Sequence, residues 1–165
     1  ALIQLASHFD LPIEKIKAAL SAVKSNTGLV GRWDIVQKNP LIICETSHNE
    51  AGIIELVKQL RTVANGVAVH IVTGMVNDKD ANAILSHLPQ NARYYFTQAQ
   101  ISRAMAAHIL QEAASKYNLT GEAFPKVSEA IFSATKNARS TDVIIVTGSI
   151  FLIADALNYF KSFDI

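Results

Sequence analysis

Apolar positions in this chain alternate between two spacings. The segments RWDIVQ (32–37), LIICE (41–45), VAVHIVTG (67–74), RYYFTQ (93–98) and DVIIVTGS (142–149) are short and rich in β-branched or aromatic residues. Several are continuous apolar runs, as expected for strands covered on both faces of a parallel sheet. Helix-like segments fall between them at 49–64, 80–88, 101–117, 127–138 and 150–160, and GEAF (121–124) reads as one further short strand. Strands that alternate with helices predict an α/β fold, a Rossmann-like and mostly parallel sheet with helices on both faces.

The first 25 residues differ, because their pattern is helical throughout. Leu2, Leu5 and Phe9 space one short helix, and Ile13, Ile16, Leu20 and Val23 form the stripe of a second, with Asp10 as its expected N-cap. SNTGLVG follows as a loop. The expected organisation is therefore a helical tail of a preceding domain over residues 1–28 and one α/β domain over 29–165. The chain opens in mid-pattern without an initiator Met, which suggests a piece of something longer.

Composition removes several function classes. Fifteen basic residues against 14 acidic ones leave no electrostatic footprint for nucleic acid or an anionic membrane. No run reaches the roughly 18 apolar residues of a membrane span. The single Cys44 excludes a disulfide framework and a cysteine zinc site, so a cytoplasmic setting is expected. His8, His70, His87 and His108 share no ligand spacing, and no metal ligands are expected in this chain. GxxxxGK[ST], GxGxxG and GxSxG are all absent.

Candidate chemistry gathers where the strands end. LIICE runs into TSHN, VAVHIV into TGMVNDKD, RYYF into TQAQISRA, and DVIIV into TGS. In an open α/β sheet the carboxyl edge of the strands is where ligands bind, because loops and helix N-termini converge there. Each residue also has a structural reading. Asn49 is a favoured N-cap, Gly148 and Ser149 suit a tight strand-to-helix turn, and Gly74 with NDKD suits a solvated loop. The alternative is that the helix start at Ser149 offers its amides and hydroxyl to an anion.

Taken in order, these motifs resemble the C-terminal domain of the folylpolyglutamate synthase and dihydrofolate synthase family, within the Mur-type ATP-dependent amino-acid ligases. The resemblance covers Leu11 to Leu157. VGRWDIVQKNPLIICETSHNEAG is similar to the family's PGR…LDxAHNP segment, VTGMVNDKDANAIL to GxxxDKDxxxxL, SRAMAA to PRA, and VIIVTGSIFLIAD to VxVTGSxxLxxE. It implies ATP-dependent ligation of L-glutamate to a folate or pteroate carboxylate through an acyl phosphate. It further implies that the P-loop ATPase and the Mg²⁺ ligands lie in an N-terminal domain of the same polypeptide, so that no catalytic residue is expected here and this chain alone is expected to be inactive. A monomer is the family's usual state.

Carried over by position, Arg32 and Glu45 are expected to contact ATP, and His48 and Ser149 to hold glutamate. Asn49, Gly74, Asp78, Lys79 and Gly148 are motif members with no assigned role. Glu45 stands where the family usually has Asp, and Val30, Glu50 and Ser102 stand where it usually has Pro. Two alternatives remain open at this point: a stand-alone α/β binding module without ligase activity, and a Mur-type ligase for another amino acid.

Overall fold

The computed structural model describes residues 5, 6 and 8–162. The chain divides into two compact units, Ala1–Val30 and Gly31–Ile165.

In the first unit, α1 (Ile13–Ser21) and α2 (Val23–Thr27) bury none of their residues. Leu5, Phe9, Ile13 and Leu20 are all exposed, and Leu2 lies outside the described residues. Asp10 is not the N-cap. It adopts φ 49, and Pro12 occupies the cap position, whose fixed φ leads directly into the first turn.

The second unit is built on six strands: β1 (Asp34–Lys38), β2 (Leu41–Glu45), β3 (Val69–Gly74), β4 (Arg93–Phe96), β5 (Gly121–Ala123) and β6 (Val143–Gly148). Their spatial order is β1-β2-β6-β3-β4-β5. Only the β1–β2 pair is antiparallel. Five helices accompany them: α3 (Glu50–Val63), α4 (Ala81–Leu85), α5 (Ala107–Ser115), α6 (Val127–Asn137) and α7 (Ile150–Lys161).

Strand alternation divides the core into two layers. Ile43, Ile71, Tyr94, Phe96 and Ile145 face one way and pack with apolar residues of α3, α4 and α5. Ile42, Cys44, Val72, Tyr95, Ile144 and Val146 face the other way, against α6 and α7. All eleven of these strand side chains are at most 1% exposed, which is why β2, β3 and β6 read as unbroken apolar runs.

The topology produces a crevice. After β2 the chain crosses through α3 to β3 and leaves one position vacant, which β6 fills on its return. The helices that follow the neighbouring strands β2 and β6 therefore depart to opposite faces of the sheet. That reversal is the switch point at which open α/β sheets bind ligands. The register aligns Glu45 with Thr147, Thr147 with Thr73, and Gly148 with Gly74 at this edge.

One expected helix begins well after its pattern does. The segment from Ile101 was expected to be helical, yet α5 begins only at Ala107. Backbone pairing with the loop after β3 competes successfully for residues 103–105. Ala104 bridges Val76, Asn77 N–H donates to Arg103 O at 2.9 Å, and Met105 N–H donates to Met75 O at 2.9 Å. The side chain of Gln98 then accepts from Ala107 N–H at 2.9 Å and starts the helix.

Candidate functional site at the carboxyl edge of the sheet

Three helix or loop entries meet at the crevice, each set by a local rule. Asn49 is the N-cap of α3, its Oδ1 accepting from Gly52 N–H at 2.8 Å. Ser149 caps α7, its Oγ accepting from Leu152 N–H at 3.3 Å. Asp80 caps α4 and closes the NDKD loop after β3. Capping is thus the role that the structure gives Asn49. Ser149 caps in the same way, and accepting one hydrogen bond leaves its O–H able to donate.

The glycines bring two of these entries together. Gly148 has φ 146, and a Cβ there would run into the Gly74 carbonyl oxygen. A Cβ on Gly74 would in turn strike the Thr97 carbonyl oxygen and the Leu152 side chain. Two β-carbons are therefore excluded where β3 and β6 end, and the loops after them sit as close as backbone allows.

The resulting cleft is lined by Ser47, His48, Thr73, Gly74, Lys79, Gly148 and Ser149. It continues outward past Asp78, Arg103, Ile150 and Phe151. His48 is half-buried, and its Nδ1 lies 3.0 Å from Thr46 O. A carbonyl can only accept, so Nδ1 carries the hydrogen, and in the neutral ring Nε2 is left as an acceptor toward the cleft. The exposed ammonium of Lys79 makes no hydrogen bond or ion pair with the described residues. Asp78 and Arg103 face each other at 3.7 Å, and the Arg103 guanidinium lies 5.1 Å over the Phe151 ring.

Arg32 and Glu45 stand beside this cleft and do not line it. The Glu45 side chain is only 12% exposed: Oε2 accepts from Trp33 N–H at 2.6 Å, and Oε1 accepts from Ser47 Oγ at 3.2 Å. Arg32 Nη1 lies 3.6 Å from Glu45 Oε1, while its guanidinium stays largely in solvent. The longer acidic side chain is used to hold the tight turn at Gly31–Trp33, where Trp33 has φ 46. Cys44 is buried between α6 and α7, and desolvation pushes its thiol up to about 12, so it is no nucleophile.

Six of the nine sequence-derived positions thus converge on the cleft wall: His48, Gly74, Asp78, Lys79, Gly148 and Ser149. Arg103 and Phe151 were not among them. The SRA motif held Arg103 in plain view, but an expected helix concealed that its backbone pairs with the opposite loop. Among the described residues, no group of three or more His, Cys, Asp or Glu side chains could hold a metal, and no helix is long and apolar enough to cross a membrane.

Comparison with known proteins identifies the family and the fold. The family described as Mur ligase, glutamate ligase domain, matches residues 31–150. The dihydrofolate synthase/folylpolyglutamate synthase of Buchnera aphidicola subsp. Schizaphis graminum is 25% identical over 161 residues, covering 94% of this chain and 37% of its own. The enzyme of the same description from Escherichia coli K12 is 27% identical over 130 residues, covering 78% of this chain and 30% of its own. The solved structure of E. coli FolC in complex with DHPP and ADP has a TM-score of 0.76 at 25% identity, over 83% of this chain and 32% of that one. A bifunctional folylpolyglutamate synthase/dihydrofolate synthase with Mn, AMPPNP and L-glutamate bound has a TM-score of 0.70 at 28% identity, over 81% of this chain and 32% of that one. The chain spans about a third of the length of these relatives. With most of the α/β unit matched in sequence and the same fold in solved relatives, the chain belongs to the Mur ligase glutamate ligase domain family.

Proposed function

We propose that this chain is the amino-acid-receiving domain of an ATP-dependent folylpolyglutamate synthase/dihydrofolate synthase, which joins L-glutamate to a folate or pteroate carboxylate through an acyl phosphate. The observation that carries the reading is the set of uncommitted polar groups in one cleft: the Lys79 ammonium, the Ser149 hydroxyl hydrogen and the His48 Nε2. An α-amino acid presents a carboxylate and an amine in fixed relation, and this cleft has a partner for each. Lys79 and Ser149 take the carboxylate, helped by the positive N-terminal end of α7. His48 Nε2 accepts a hydrogen from the amine and orients its lone pair for attack on the acyl carbon.

Arg32 is the group in this chain suited to phosphate oxygens, with Glu45 fixing its base rather than touching nucleotide alone. No cluster of three or more His, Cys, Asp or Glu side chains is present among the described residues to hold Mg²⁺. The phosphoryl-transfer machinery would come from a P-loop domain of the same polypeptide.

The test is a ligation assay on the polypeptide carrying this chain, supplied with ATP, L-glutamate and dihydropteroate or a reduced folate. The expected result is L-glutamate-dependent release of ADP together with a product heavier by one glutamyl unit. ADP release indifferent to every amino acid offered, with no amide formed, would overturn the reading.

A further inference from the structure

A histidine and a glutamate outside the cleft join the two helices that flank it. His87, in the turn after α4, places Nε2 2.9 Å from Oε1 of Glu50, the first residue of α3. A carboxylate only accepts, so Nε2 carries the hydrogen of this contact. Glu50 shares a face of α3 with Ile53 one turn later, and His87 follows Ile84 by three residues. Ile53 and Ile84 are both buried and both line the cleft. The contact is thus a clasp across the same α3–α4 boundary that these two side chains fill.

Each of the two helices starts directly after a residue that the cleft uses. His48 precedes Asn49, the cap of α3, and Lys79 precedes Asp80, the cap of α4. Fixing α3 against α4 therefore fixes the backbone that carries the imidazole against the backbone that carries the ammonium. The shorter helix needs such support, because five residues are too few to hold a helix in place by themselves. Its other anchors are the buried Ile84 and Leu85 and the hydrogen bond from Tyr117 OH to Asn82 Oδ1 at 3.1 Å. Among the described residues, no other side-chain hydrogen bond or ion pair joins α3 to α4 or to the turn after it.

Resting on the reading that the cleft receives an amino acid, we propose that Glu50 and His87 are positioning residues, whose clasp sets the spacing between Lys79 and His48. Neither touches the substrate. Their contact holds the two segments so that the carboxylate and the amine of one molecule are gripped together. The side chains are 36% (His87) and 57% (Glu50) exposed, so the clasp adjusts the width of the cleft and adds little to the stability of the fold. It is also particular to this chain, because the proline that the resemblance expects at position 50 has no carboxylate to offer.

The experiment measures KM for L-glutamate, KM for ATP and the melting temperature of the polypeptide carrying this chain, as wild type and as Glu50→Pro, His87→Ala and their double variant. Glu50→Pro separates positioning from folding. Proline suits the first position of a helix, and Asn49 before it is already extended at φ −140 and ψ 167. Loss of a first-turn negative charge and the stiffer unfolded chain offset one another, so the melting temperature is expected to stay near wild type. KM for L-glutamate is expected to rise roughly 2- to 5-fold in each single variant, the range of an exposed pair, with KM for ATP unchanged. The double variant should rise no further than either single one, since both remove the same contact. Exchanging the charges, with Glu50→Lys and His87→Glu together, should bring KM back toward wild type. An unchanged KM for L-glutamate in Glu50→Pro, or effects that multiply in the double variant, while the wild type ligates glutamate normally, overturns the positioning assignment alone. Absence of glutamate-dependent turnover in the wild type overturns the ligase reading and this assignment together.

Discussion

Polar groups cluster at both ends of β3 and β6, and the two clusters are opposites. At the amino end, His70 stands between Tyr95 OH, 3.1 Å from Nδ1, and Asp142 Oδ2, 3.4 Å from Nε2. Asp142 also accepts from Arg139 N–H at 2.8 Å. All three side chains are buried, and each finds its partners within the protein. At the carboxyl end the Lys79 ammonium, His48 Nε2 and the Ser149 hydroxyl hydrogen are left over after the local structure has been satisfied. A closed polar network specifies a fold, whereas an open one is available to a ligand. Histidine occurs in both clusters, so residue type alone does not separate them.

The contrast can be broken most forcefully at the glycine contact that shapes the open end. Gly148→Ala places a methyl group against the Gly74 carbonyl at a backbone angle that L-residues avoid. A loss of about 2–4 kcal/mol is expected from strain and overpacking together, read from the urea midpoint. An unchanged midpoint would mean that the two loops part easily and that the cleft is not held by this contact.

Asp142→Asn probes the closed end. It is expected to cost about 1–3 kcal/mol by weakening a buried acceptor that serves both Arg139 N–H and His70. The backbone N–H of Arg139, followed by His70, holds the Asp142 carboxyl below the usual carboxylate range. A folded-state value below the unfolded one means that this stability is present above about pH 4 and is lost as pH falls through the folded value. The wild type should therefore lose more stability than Asp142→Asn between roughly pH 5 and pH 3. Parallel pH profiles would remove Asp142 from the account.

The smallest effect is expected at the border between fold and site. Glu45→Asp withdraws the carboxylate by about 1–1.5 Å. It should weaken the 2.6 Å bond from Trp33 N–H and cost about 1 kcal/mol, measured by thermal unfolding, with ATP affinity lowered a few-fold through Arg32. Improved ATP binding in this variant would mean that Glu45 serves the nucleotide directly.

Much of this was legible in the sequence, for identifiable reasons. Unbroken apolar runs such as VIIV gave the buried parallel strands, and polar residues after four of the strands marked the carboxyl edge independently of any family resemblance. Asn49 and Ser149 fit N-cap chemistry and sit at the helix starts that their types favour. Strand order was not legible, because the insertion of β6 between β2 and β3 depends on contacts about a hundred residues apart, such as Thr147 Oγ1 to Ser47 O. The boundary of α5 was missed because long-range pairing at residues 103–105 overrides helical periodicity. His48 was expected to hold glutamate, and only coordinates reveal that its Nδ1–H is already committed to Thr46 O.

The most direct test of the difference between the two ends is the KM for L-glutamate in Lys79→Met set beside Tyr95→Phe, each paired with a melting temperature. The account predicts that Lys79→Met raises KM by about 30-fold or more at near-wild-type stability, since its ammonium has no partner among the described residues. Tyr95→Phe should lower the melting temperature and leave KM for glutamate near wild type. A normal KM in Lys79→Met, or an equal rise in Tyr95→Phe, would contradict the assignment of the carboxyl edge as the amino-acid site.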